Sequence, residues 1–90
     1  MKNFTYTIKD AKGLHARPAG LLAKEAKKFN SKIIITANGK TADLKHIFAV
    51  MSLGIKFATT VTITIDGEDE DVAELTLEKY IKINLWRNLN

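Results

Sequence analysis

Gly13-Leu14-His15-Ala16-Arg17-Pro18-Ala19-Gly20 is the stretch on which the reading of this chain turns. A proline just inside a periodic segment marks a helix start, because its missing N–H would be unpaired there and its fixed φ suits the first turn. Ala19, Leu22, Ala26 and Phe29 then recur at helical spacing, with Lys24, Lys27 and Lys28 on other faces. A helix is therefore expected from about Pro18 to Phe29. The loop ending at His15 runs into the mouth of that helix, where free N–H groups and the positive end of the dipole gather. Such a place attracts anions, phosphate above all.

The residue types suit that chemistry. A neutral imidazole has a lone pair that can attack phosphorus, and near neutral pH an ordinary histidine is partly in that form. The helix mouth stabilises the dianion that transfer creates. Arg17 offers planar charged donors to phosphate oxygens, and Gly13 lets the loop bend back over the helix. His15 is thus the candidate phosphoryl acceptor and Arg17 its stabiliser, with Ala16, Arg17 and Pro18 forming a phosphate-binding helix start. The same short motif also admits a structural histidine that caps or packs at a helix opening.

Outward from the motif the chain alternates strands and helices. Phe4, Tyr6 and Ile8 alternate with polar residues as in a half-buried strand. Ile33-Ile34-Ile35 forms a second strand, and Asn38-Gly39 signals a two-residue hairpin into a short strand around Thr41. A short helix is expected from about Ile47 to Leu53, ended by Gly54. Val61, Ile63 and Ile65 alternate again, Asp66-Gly67 turns the chain, and the acidic residues from Glu68 to Asp71 open a last helix. The order βαββαβα gives an α+β fold, an antiparallel sheet with helices on one face. In the final segment Leu75, Leu77, Tyr80 and Ile81 can line a helix, whereas Ile81 to Trp86 alternates like a strand. Trp86 can pack on the sheet, extend the helix or stand free.

Ninety residues suit one small domain with one core, spanning residues 1–90. No run is apolar and long enough for a membrane span, and the N-terminus lacks the apolar stretch of a signal peptide. With no cysteine there are neither disulfides nor thiolate metal sites, so a cytoplasmic setting is expected. The net charge of +4 is compatible with acidic partners or nucleic acid, yet no phosphate-cradling glycine loop, zinc-finger spacing or stacking-aromatic motif accompanies it. No nucleic-acid partner is expected. The acidic cluster does not follow a calcium-loop pattern, and His15 with His46, two histidines without a clear carboxylate partner, make a thin case for a shared metal, so neither metal nor cofactor is expected.

The short second helix carries Ile47, Phe48, Val50, Met51, Leu53 and Ile55, apolar on nearly every side. A helix lying over a sheet buries only one face, so the remainder either forms an exposed contact patch or is covered by the loop before the first helix.

The Gly-Leu-His-Ala-Arg-Pro-Ala motif resembles the active-site signature of HPr, the histidine-containing phosphocarrier of the bacterial sugar phosphotransferase system. Ala37-Asn38-Gly39-Lys40, Val50-Met51-Ser52-Leu53-Gly54-Ile55 and Asp66-Gly67-Glu68-Asp69-Glu70 resemble it too, in the same order and at similar spacings. The similarity covers roughly Phe4 to Leu75. It implies an open-faced β-sandwich of four antiparallel strands with three helices on one face. It implies a stoichiometric carrier rather than an enzyme: Enzyme I passes a phosphoryl group to Nδ1 of His15, which leaves Nε2 facing away from the helix, and the IIA domain of a sugar permease takes it on. By position, Ile47, Phe48 and Met51 become apolar anchors for partners, Ala16, Arg17 and Gly20 flank the site, and Lys24 and Lys27 meet acidic partner surfaces. A monomer suits such shuttling. The alternative is an HPr-like regulatory module that docks to a transcription factor or enzyme.

One departure stands out. Many Gram-positive members carry a kinase-regulated serine where this chain reads His46, so that regulation is not expected here. Histidine is also a weaker helix cap than serine.

Overall fold

A computed structural model of the chain describes residues 1–85. Alternating sequences become strands β1 (Lys2–Thr7), β2 (Lys32–Ala37), β3 (Lys40–Asp43) and β4 (Thr60–Asp66). Between them lie α1 (Ala16–Ala26) and α2 (Ile47–Met51), and α3 (Glu70–Tyr80) follows, running on into a π-helical turn, Ile81–Leu85. The sheet order is β1-β4-β2-β3, and each neighbouring pair is antiparallel. This is the open-faced sandwich expected from the sequence. No helix of the described residues is long and apolar enough to cross a membrane.

Side-chain alternation fixes the register. Phe4 pairs with Ile63, which pairs with Ile35, and all three are buried under the helices. On the other face Thr5, Thr62 and Thr36 stand in line, exposed or half-exposed. A slip of one residue would exchange the two rows and put isoleucine in water, so the pairing is strongly specified. Onto the apolar row α1 lays Ala19, Leu22, Ala23 and Ala26, and α3 lays Ala73 and Leu77. Asn38 and Gly39 both take positive φ (56° and 76°) between paired Ala37 and Lys40, the two-residue turn that suits strand twist.

Helix ends differ from the sequence expectation. The first helix begins at Ala16, two residues before Pro18, and ends at Ala26 rather than Phe29. Its last turn tightens instead, with Lys28 N–H donating to Glu25 and Phe29 N–H to Ala26. Lys45 Nζ donates to the Phe29 carbonyl at 2.8 Å, satisfying a group at that end. The second helix likewise ends at Met51, and Leu53 N–H and Gly54 N–H bond three residues back. From Ile81 onward the helical period wins over the strand-like alternation, because Ile81 continues the buried stripe of Ala73 and Leu77. The expectations for Trp86 lie outside the described residues.

The acidic residues at the start of α3 have structural work. Asp69 accepts hydrogen bonds from Asn30 N–H (2.8 Å), Ser31 N–H (2.9 Å) and the Ser31 hydroxyl, tying the α1–β2 loop to the α3 start. These bonds, the Ser31 hydroxyl foremost, hold the Asp69 carboxyl below its ordinary value. A carboxyl depressed in the folded state contributes stability that is complete above its unfolded pKa and is lost as pH falls through the folded one. Chemical denaturation from about pH 6 down to about pH 2, a range that brackets an ordinary aspartate, should show a decline that is shallower in Asp69→Asn. Parallel curves for the two proteins would refute the assignment.

Candidate functional site

The loop between β1 and α1 is built by two devices. Asp10 opens a turn in which its carbonyl accepts Gly13 N–H (2.9 Å) and its carboxylate Oδ1 accepts Lys12 N–H (2.9 Å). Aspartate at the first position and glycine at the fourth are the signature of such a turn. Gly13 then takes φ +73° against the backbone of Ile55 and Lys56, Leu14 N–H donates to Ile55 at 2.9 Å, and Leu14 is buried. The chain leaves this anchor at His15, which is extended (φ −92°, ψ −170°) and caps α1.

The His15 carbonyl accepts Ala19 N–H at 2.9 Å, while its side chain makes no capping hydrogen bond. Pro18 sits third in the helix, buried and without an N–H, so the donors left at the mouth are the main chains of Ala16 and Arg17. No carboxylate lies in the first turn to occupy them. Arg17 is exposed, and among the described residues its guanidinium pairs with no carboxylate. His15, Arg17 and Pro18 line a cleft of about 160 Å³ together with Asp10 and Lys12. The His15 imidazole is 37 % exposed, and its Nε2 lies 3.6 Å from Asp10 Oδ2. A half-exposed imidazole, a guanidinium with no carboxylate partner among the described residues and two N–H groups without intrahelical partners line one cleft, an arrangement able to receive an anion.

Arg17, Gly20, Lys24 and Lys27 follow one another at three- and four-residue steps, so they form one stripe along α1. At Gly20 that stripe meets α2: a Cβ there would stand 3.1 Å from Ile47 Cδ1. Gly20 and Ile47, both expected at the partner surface, are half-buried against each other, and Ile47 also packs on the core. Phe48 and Met51 point outward instead, Phe48 81 % exposed. Val50, Leu53 and Ile55 turn inward, which resolves why the segment is apolar all round. Lys24 and Lys27 are exposed.

Asp10 and Lys12 were not among the sequence candidates, although the Asp-x-x-Gly turn signature was available to place Asp10 in this loop. Leu21 and Phe57 are further large apolar side chains left exposed. Nothing in their local spacing marks them as outward-facing.

His46 caps α2 without any side-chain capping bond, and its Nε2 stands 4.0 Å from Asp43 Oδ2. Serine at an N-cap is worth about 1 kcal/mol over residues that cannot cap. His46→Ser should therefore raise the melting temperature by roughly 4–8 °C for a domain of this size. An unchanged or lower melting temperature would argue against a missing cap.

The chain matches the family model described as the PTS HPr component phosphorylation site over residues 2–82. It is 53 % identical over 73 residues to the phosphocarrier protein HPr of Mycoplasma capricolum, covering 81 % of this chain and 82 % of that protein. It is similar to the solved structure of a Mycoplasma histidine-containing phosphocarrier protein, with TM-score 0.88 and 47 % identity over 93 % of this chain and 97 % of that one. An HPr dimer from Thermoanaerobacter tengcongensis is also similar, with TM-score 0.71 and 39 % identity over 91 % of this chain and 94 % of that one. The cleft beside His15 and the sandwich that frames it thus occur in a chain that belongs to the HPr family, the phosphocarriers of the phosphotransferase system.

Proposed function

We propose that the chain accepts a phosphoryl group from phospho-Enzyme I on His15 and passes it to IIA domains of sugar permeases, in the cytoplasm. It acts as a stoichiometric carrier, with the phosphohistidine as its loaded form. The observation that carries this reading is the imidazole at an unfilled helix mouth, beside a guanidinium with no carboxylate partner among the described residues. Transfer along such a relay is close to thermoneutral, so positioning and electrostatics supply most of the rate. Ala16 N–H, Arg17 N–H and the Arg17 side chain receive the phosphoryl oxygens, and Pro18 shapes the cleft wall. Phe48 and Met51 form the apolar centre of the docking surface, flanked by the Arg17, Lys24 and Lys27 stripe, which meets acidic partners. Gly20 and Ile47 set the fit between α1 and α2 beneath it. The chain serves both partners as a monomer.

Intact-mass measurement after incubation with phosphoenolpyruvate and catalytic Enzyme I tests the reading. One phosphoryl adduct that brief acid treatment removes is the expected result. A folded sample that gains no adduct from active Enzyme I would overturn it and favour a docking module. The serine kinase of HPr relatives, which has no hydroxyl to act on at His46, should add no stoichiometric phosphoserine.

A further inference from the structure

Asp10 faces Nε2 of His15. Its Oδ1 is held by Lys12 N–H and its carbonyl by Gly13 N–H, so the carboxylate has little freedom. The side chain is only 14 % exposed, and Oδ2 stands 3.6 Å from His15 Nε2. That is longer than a hydrogen bond. Catalytic contacts in unliganded sites are often long and close up in the working complex.

A carboxylate accepts hydrogen bonds and donates none, so this neighbour favours the imidazole tautomer with its proton on Nε2. The Nδ1 lone pair is then the one presented to a donor. We infer that Asp10 is a positioning residue that holds the proton on Nε2 of His15 and leaves Nδ1 as the nucleophile. The inference rests on the carrier reading of His15.

The transfer balances without any further reactant. The Nδ1 lone pair forms the new N–P bond while the bond from phosphorus to the donor atom of phospho-Enzyme I breaks, and its electron pair goes to that donor atom. The Nε2 proton stays in place, and the ring takes on positive charge in the loaded form. Asp10 faces that charge across Nε2–H, so its attraction grows as transfer proceeds. Arg17 and Lys12, the cations lining the same cleft, are available to the phosphoryl oxygens.

Asp10→Asn separates this role from loop architecture. The Asn oxygen can still accept Lys12 N–H, which leaves its amide NH₂ as a donor facing Nε2. The preferred tautomer then inverts, with the proton on Nδ1 and the nucleophilic lone pair lost. Imidazole ¹⁵N shifts followed upward in pH to the neutral-ring plateau read the tautomer directly. Nε2–H should predominate in the unsubstituted chain and Nδ1–H in the variant. Partners that orient a histidine through its second nitrogen are worth about 10- to 100-fold at metal sites. For this half-exposed pair the lower end, about a tenfold slower phosphoryl acceptance from Enzyme I, is expected.

A slower variant whose tautomer matches the unsubstituted chain would reduce Asp10 to a loop residue and overturn the inference. An inverted tautomer with an unchanged rate would overturn it as well. Predominant Nδ1–H in the unsubstituted chain overturns it without any substitution, so the test does not depend on the variant folding. Failure of the carrier reading is seen separately, as an unsubstituted chain that takes no label.

Discussion

Alanine in place of His15 is expected to abolish phosphoryl labelling by phosphoenolpyruvate and Enzyme I while leaving the domain folded. The structure explains why the two effects separate. The imidazole is partly exposed, makes no capping hydrogen bond, and approaches Asp10 only at 3.6 Å. Asp10 keeps its bond from Lys12 N–H when the ring is removed, and changes at partly exposed positions of that kind usually alter stability by no more than about 0.5 kcal/mol. The activity, by contrast, needs a lone pair at that point in space, and alanine has none. The second histidine, His46, lies at the start of α2, and the cleft is lined without it. Mass analysis and thermal melting on the same sample check both halves. Acid-labile phosphate persisting in His15→Ala would place the acceptor elsewhere.

Gly13→Ala is expected to damage both the fold and the site. A Cβ at Gly13 would lie 2.3 Å from the Ile55 carbonyl oxygen and 2.7 Å from Lys56 Cα. Both obstacles are backbone, so no side-chain rotation relieves them. The positive φ of 73° adds its own cost for alanine. The obstructing carbonyl is the one that accepts Leu14 N–H, so any relief pulls at that bond and at buried Leu14. A loss of about 3 kcal/mol or more is expected, a large share of the stability of a small domain. That corresponds to a melting temperature lower by roughly 12–24 °C. Gly39→Ala is the matched control, since Gly39 has a similar φ of +76° and nothing within 4 Å of the added carbon. It should lose only about 1–2 kcal/mol, the left-handed backbone cost alone. Equal losses at the two positions would show that the clash at Gly13 is relieved cheaply. Any folded Gly13→Ala should also take label more slowly, because His15 leaves the loop that Gly13 anchors.

The second helix shows where local sequence stopped being informative. Ile47, Phe48 and Met51 are adjacent or one turn apart on a five-residue helix and equally apolar, and periodicity alone does not assign them to sides. Gly20 on α1 decides it for Ile47: the missing Cβ leaves room for that side chain against α1, while Phe48, roughly 100° further round the helix, stays outward and Met51, one turn on from Ile47, is left partly exposed at the edge. The same limit applied at Ile81, where alternation and helical period competed. The stripe begun by Ala73 and Leu77 prevailed because burying Ile81 on it keeps the helix hydrogen-bonded to its end.

Strand alternation, the Asn38-Gly39 turn, the helix mouth after His15 and the family resemblance were all legible in the chain as written. Each depends on residues close in sequence or on a motif of fixed spacing. What only the tertiary structure decided depends on groups distant in sequence or on how a loop closes. Ile55 must come against Gly13 for the loop to be anchored, and Ile47 against Gly20 for α2 to turn. Asp69 must reach Ser31 across the end of the sheet. Asp10, five residues before His15, meets its imidazole only because the intervening turn folds the loop back on itself. Periodicity records which face of an element is apolar, and it holds no record of which element will lie against that face.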